Sequence, residues 1–139
     1  MLEAQFRSYY VDYLLADIGD RKSFFKECRC RKSGIPDSFV DNVILINGKF
    51  LPVEVKLSVA AQQNINSQIS KYCYDDTVSV KGKDLLPESL YNNRVLLIDT
   101  DTVFIYDADT DQITPIYNLN MLTSKQDIQV LRNTIIGSL

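Results

Sequence analysis

The chain has 139 residues, 45% hydrophobic and 24% charged, an ordinary balance for one globular domain with a real core and no room for a second catalytic module. It contains no histidine, which excludes histidine-paired nucleophiles, histidine-based nucleases and most zinc hydrolases. Fifteen Lys and Arg against 18 Asp and Glu leave a net charge of -3, the opposite of the usual nucleic-acid footprint.

Leu2, Phe6, Tyr9, Tyr10, Tyr13 and Leu14 recur at near-helical spacing and Gly19 supplies a stop, so residues 2–17 are expected to form a helix packed by its aromatic face. Glu3 and Arg7 stand four apart on it, the spacing of an exposed ion pair. Residues 23–31 read as a first strand. Six of the fifteen basic residues lie at 21–32, among them Lys26, Arg29, Arg31 and Lys32, and form a candidate basic stripe for a phosphate backbone. Cys28, Cys30 and Cys73 are an odd number without paired spacing, and are read as small buried thiols.

Asn47-Gly48 between two β-rich apolar runs predicts an antiparallel hairpin of residues 39–46 and 50–57. A two-residue turn sets Ile46 opposite Lys49, Asp41 opposite Glu54 and Phe39 opposite Lys56. Asp41, Glu54 and Lys56 then share one face, with Asp37 further along it. Pro52 inside the second strand suggests an edge-facing amide or a bulge. Ionised carboxylates among Val, Ile, Leu and Phe call for a compensating cation. Mg²⁺ fits, because it takes one or two carboxylates with water and phosphate oxygens, and a neighbouring lysine can orient or deprotonate the attacking water.

Residues 60–74 read as a helix with Ser58 as N-cap, carrying Gln68 and Tyr72 one turn apart and aimed at Glu54 and Lys56. Residues 75–92 read as a long loop. Strands at 94–100 and 102–106 flank a tight turn at 99–101, and a short strand covers 113–119. A helix runs from Ser124, capped with Asp127, to Gly137. Turn chemistry accounts for the aspartates of these turns.

Pro36-Asp37 followed by Glu54-Val55-Lys56, with Gly34 ahead and Gln68-Ile69-Ser70-Lys71-Tyr72 behind, resembles the PD-(D/E)xK nuclease superfamily. The pattern is most similar to the N-terminal nuclease domain of type I restriction enzyme motor subunits. The resemblance implies an α/β, restriction endonuclease-like mixed central β-sheet flanked by helices, in a single domain spanning residues 1–139. It further implies metal ligands at Asp37, Glu54 and the Val55 carbonyl, water activation by Lys56, positioning by Gln68 and Tyr72, and a reach toward the metal by Glu3. The strict hairpin register instead favours Asp41, because Asp37 lies about 13 Å beyond it along the strand at ~3.3 Å per residue.

The expected activity is that of a Mg²⁺-dependent endodeoxyribonuclease, with Mn²⁺ substituting, acting on DNA in restriction, defence or DNA processing. A motor or specificity subunit, or a second copy in a homodimer, is an expected kind of partner. The alternatives are a catalytically silent binding or regulatory module on the same fold, and a Holliday-junction resolvase-like enzyme. No apolar run approaches the ~18 residues of a membrane span and the first residues lack a signal-peptide layout, so the expected location is cytoplasmic, with no membrane partner. No Gly-x-x-x-x-Gly-Lys-Ser/Thr is present, so ATP use is not expected.

Overall fold

The computed structural model describes every residue except Ser33, Gly34, Tyr74, Asp75, Asp76 and Asn92, and the side chains of all but Lys32, Ile35, Pro36, Asp37 and Thr77 among the rest. The chain opens with α1 (Glu3–Phe6), a π-helical turn (Arg7–Val11) and α2 (Asp12–Ile18). The run ends at Gly19, whose backbone is extended (φ -70°, ψ 152°), and glycine is needed there because a Cβ would stand 2.5 Å from the Ser23 carbonyl oxygen. Strands β1 (Phe24–Lys32), β2 (Ile35–Ile46) and β3 (Lys49–Val55) follow, then α3 (Ile65–Ser70), β4 (Thr77–Val80), β5 (Lys83–Asp84), β6 (Arg94–Ile98), β7 (Thr102–Asp107), β8 (Gln112–Asn118) and α4 (Lys125–Gly137).

The eight strands form one mixed sheet in the order β5-β4-β1-β2-β3-β6-β7-β8. All neighbours are antiparallel except β3 and β6. The β2–β3 hairpin is therefore central and not near an edge, because β1 covers one side and the crossover strand β6 the other. On one face Phe6, Leu14, Leu15 and Ile18 of the N-terminal helices and Leu131 and Ile135 of α4 pack on Ile44, Leu51, Val53 and Leu96. On the other, Ile65, Ile69, Tyr72 and Cys73 pack on Cys28, Cys30, Val40, Val43 and Leu97. The architecture is mixed α/β with helices on both faces of the sheet. The three cysteines are buried and form no disulfide, and burial pushes the Cys28 thiol up to about 11. Among the described residues no helix is long and apolar enough to cross a membrane.

Three expectations change. The β2–β3 register runs unbroken through Val43↔Pro52, so Pro52 makes no bulge, and the parallel ladder to β6 begins only at Val53, so the side of Pro52 away from β2 carries no ladder pair. The helix expected at 60–74 shrinks to Ile65–Ser70, because Asn64 adopts φ 58° and Ser58 caps a local turn through Ala61 instead. The supposed loop 75–92 contains the β4–β5 hairpin, whose turn Lys81-Gly82 has φ 52° and 77°, the left-handed pair that a two-residue hairpin turn requires.

Long-range polar contacts tie the central turn down. Asn47 and Gly48 donate their backbone N–H groups to Asp20 at 3.2 and 2.9 Å, and Arg132 of α4 pairs with the same carboxylate. Burial works to raise the Asp20 pKa, but the bonds from Gly48, Arg132 and Asn47 outweigh it and hold the carboxyl below its usual range. Asp20→Ala is expected to lower stability by about 1 kcal/mol, because the exposed Asn47 and Gly48 N–H groups turn to water once their acceptor is gone. Urea denaturation at neutral pH measures it. The loss should shrink in acid as Asp20 protonates through its lowered pKa.

Candidate functional site

The turn residues Asn47 and Gly48, with φ 51° and 82°, set Ile46 opposite Lys49, and the pairing runs without a shift to Asn42↔Val53. One step further along the same register, Asp41 faces Glu54. Glu54 sits near the carboxyl end of β3, paired with Leu97 of the parallel strand β6, and Asp41 lies on its other side, on β2. The turn after β6 braces residues 56–59, which leave the end of β3. Lys56 donates its N–H to the Ile98 carbonyl at 3.1 Å, Thr100 donates its hydroxyl to the Leu57 carbonyl at 3.1 Å, and Asp99 accepts from Val59 at 3.0 Å. Asp99 also accepts from Asp101 and Thr102 at 2.9 and 2.8 Å, so it forms its own turn as well as holding the segment beyond Lys56.

Glu54 is 8% exposed, and its Oε2 is buried without a hydrogen-bond partner. An acceptor left so costs free energy, which marks the position as one kept for another reason than stability. Burial first, then the charge of Asp41, pushes its pKa up to about 7, against the opposing effects of the Tyr72 hydroxyl and the Lys56 charge. The two carboxyl groups lie within hydrogen-bonding reach of each other. Tyr72, just past α3, is buried; its hydroxyl donates to the Phe39 carbonyl at 3.2 Å and lies against Glu54. Burial and the Glu54 charge raise the Tyr72 pKa, so it stays a neutral donor.

Asp41 is compensated differently. Its Oδ1 accepts from Arg7 at 2.8 Å and its Oδ2 from the Val55 N–H at 2.9 Å. Arg7, in the π-helical turn, also stands 3.9 Å from Glu27. Arg7 therefore pairs across 34 residues of chain with Asp41, not with its helical neighbour Glu3. Hydrophobic periodicity carries no signal for this contact. An arginine within the first helix is noticeable in sequence, but its partner is chosen by packing.

No family model, curated protein or solved structure matches the chain. The geometry stands by itself.

The remaining candidates divide. The side chains of Asp37 and Lys32, together with Gly34, lie outside the described residues. Gln68 is exposed on the outer side of α3 and does not share the inward face of Tyr72, because the helix ends at Ser70 and Tyr72 follows in a turn. Among the described residues no three His, Cys, Asp or Glu side chains converge as a metal cluster, so Glu3 does not join Asp41 and Glu54. Lys26 pairs with the buried Asp12 at 2.6 Å, and Arg31 pairs with Asp84. Lys26, Arg29 and Arg31 nevertheless line one groove.

Proposed function

We propose that the chain is a divalent-metal-dependent DNA endonuclease of restriction endonuclease-like fold, with its reacting centre at Asp41, Glu54 and Lys56. One observation carries the reading: a glutamate buried at a strand end, with an unpartnered oxygen, facing a second carboxylate and followed two residues later by a lysine. A buried glutamate whose proton affinity is raised by desolvation and by the Asp41 charge is a site short of positive charge, and a cation at its unpartnered oxygen relieves it. Mg²⁺ suits this donor set, because it needs only one or two carboxylates and keeps water and phosphate oxygens for its remaining positions. Asp41, Glu54 and the Val55 carbonyl would hold it, and Mn²⁺ would take the same place. When bound, such an ion polarises the scissile phosphate and lowers the pKa of water.

This chain's own groups do the rest. Lys56, half-buried beside Glu54, orients the attacking water and offsets charge developing on the phosphate. Tyr72 is a positioning residue: its hydroxyl is anchored on the Phe39 carbonyl and its buried ring and oxygen form the wall against which Glu54 lies. A motor or specificity subunit would supply targeting.

The silent binding module is favoured by a different observation. Arg7 already neutralises Asp41 at 2.8 Å, as it would in a fold that had dispensed with metal.

The deciding experiment is cleavage of plasmid and single-stranded DNA by wild type and Lys56→Ala, with Mg²⁺, Mn²⁺ and chelator. Metal-dependent cutting that falls about 10²-fold or more in the variant is the expected result, equal to several kcal/mol of transition-state stabilisation. A folded wild type that neither cuts nor gains thermal stability with either metal would establish the silent module.

A further inference from the structure

The sheet has a gap. Among the described residues β1 and β4 pair at Cys30↔Val78 and Arg31↔Thr77, and the register that would continue to residues 29 and 79 is not kept. Beyond it β4 splays away into its turn, and a groove of about 580 Å³ opens between residues 24–29 of β1 and the Ser79–Gly82 stretch. Its wall carries Lys26, Arg29, Arg31 and Lys81 against the single carboxylate of Glu27, a local charge of +3 by that count in a chain whose net charge is -3. Phe24 and Phe25 also line it, and the Lys81 ammonium lies 5.2 Å from the centre of the Phe25 ring.

We infer that this groove is a binding track for a single strand of nucleic acid, on the far side of β1 from the strands that carry Asp41 and Glu54. The inference takes the nucleic-acid substrate class from the function proposed above and names its form. Cations along a groove with aromatic rings between them are how single strands are held without regard to sequence, the cations meeting phosphates and the rings meeting bases. A cleft between two strands of one sheet admits one extended chain, whereas a duplex has its bases stacked inside and reaches the wall only with phosphates.

Two of the cations are exchangeable. Lys81 is exposed at a turn, and Arg31 and Asp84, with side chains 42% and 51% exposed, form a solvent-screened pair that a phosphate can replace. Lys26 is held by the buried Asp12 and shapes the wall. The groove also leads to the site. Glu27 lies on β1 between the pairs Lys26↔Asn42 and Cys28↔Val40, which sets it opposite Asp41, and Arg7 reaches toward both carboxylates.

The test is fluorescence anisotropy of the full chain in chelator, with a labelled 12-nucleotide strand of mixed sequence and the blunt duplex of the same sequence. The strand is expected to bind at least tenfold more tightly than the duplex. Lys81→Asn, which suits the left-handed turn position, should reduce the slope of log K against log salt by about 0.7. Phe25→Leu, which keeps an apolar side chain but loses the ring, should weaken strand binding about five- to hundredfold. Equal binding of the duplex, or two folded variants that bind as wild type does, would overturn the inference. So would displacement of the strand by poly-glutamate at matching charge, which would make the groove a surface for acidic peptides.

Cleavage of the same strand with Mg²⁺ is scored separately. Binding with the expected variant effects but no cutting would sink the nuclease and leave the track. Cutting undiminished in both groove variants would do the reverse.

Discussion

Glu54→Gln is expected to stabilise the metal-free protein at pH 8 by about 2–3 kcal/mol while abolishing metal-dependent cleavage. The unfolded chain releases this proton near the ordinary glutamate value of 4.5, whereas burial and the Asp41 charge hold it in the folded protein up to about 7. Between those values the folded state binds the extra proton. The contribution of Glu54 to stability is therefore fully present below pH 4.5 and lost as pH rises through 7, at about 1.4 kcal/mol for each pH unit crossed. An amide carries no charge to desolvate and escapes that loss.

Thermal or urea denaturation of the two proteins at pH 5 and pH 8 reads the effect. The variant's advantage should appear at pH 8 and shrink toward pH 5. A variant less stable than wild type at pH 8 would mean that the Glu54 charge is compensated in the metal-free fold, and no cation would be needed to relieve it. Mn²⁺ should reverse the ranking. A ligand at about 1,000 times its dissociation constant adds about 4.1 kcal/mol to wild type, more than the variant's advantage, and little to a protein whose buried donor has become an amide.

Asp41→Asn and Asp37→Asn should separate cleanly. Asp41→Asn is expected to reduce metal-dependent cleavage about 10²-fold or more, whereas Asp37→Asn should change it less than about threefold, under 1 kcal/mol. Asparagine can still accept the Val55 N–H, so the β2–β3 end keeps its geometry and the loss is one of charge. The basis is the register. The ladder from the Asn47-Gly48 turn runs unbroken to Asn42↔Val53, which brings Asp41 beside Glu54, and Asp37 is four residues further along β2. Cleavage assays at saturating Mg²⁺, with melting curves for both variants, decide it. Loss in Asp37→Asn with Asp41→Asn active would return the metal to Asp37 and require the strand to bend back toward Glu54.

Much of this site is local information. Asn47-Gly48 takes left-handed φ at both turn residues, and a two-residue turn leaves one register, so the convergence of Asp41, Glu54 and Lys56 follows from the amino-acid order alone. The Ser124–Asp127 capping box, with the Ser124 N–H donating to the Asp127 carboxylate at 2.9 Å, is legible for the same reason. Its partners are three residues apart. The aspartates at 99, 107 and 111 are turn and packing groups, and short-range side-chain bonding predicts as much for the first two.

Non-local packing decided the rest. Helical periodicity from Ala60 to Cys73 extends past the true helix because hydrophobic spacing does not register the left-handed Asn64 or the competing bond of Ser58. Gln68 aims at the site only if the helix continues to Tyr72; the chain turns after Ser70, and only Tyr72 points inward. The β4–β5 hairpin hides behind Lys-Gly, a weaker turn signal than Asn-Gly. The central position of the β2–β3 hairpin depends on β6 returning parallel to β3 after a long crossover through α3 and the β4–β5 hairpin, and spacing within either strand says nothing about that. The choice of Arg7 as the partner of Asp41, and the burial that raises the proton affinity of Glu54, belong to the same class. Sequence order determines which residues a hairpin brings face to face. Which of them is stripped of water, and which finds a counter-charge, is settled only when distant elements pack around it, because desolvation is a property of the whole surrounding volume.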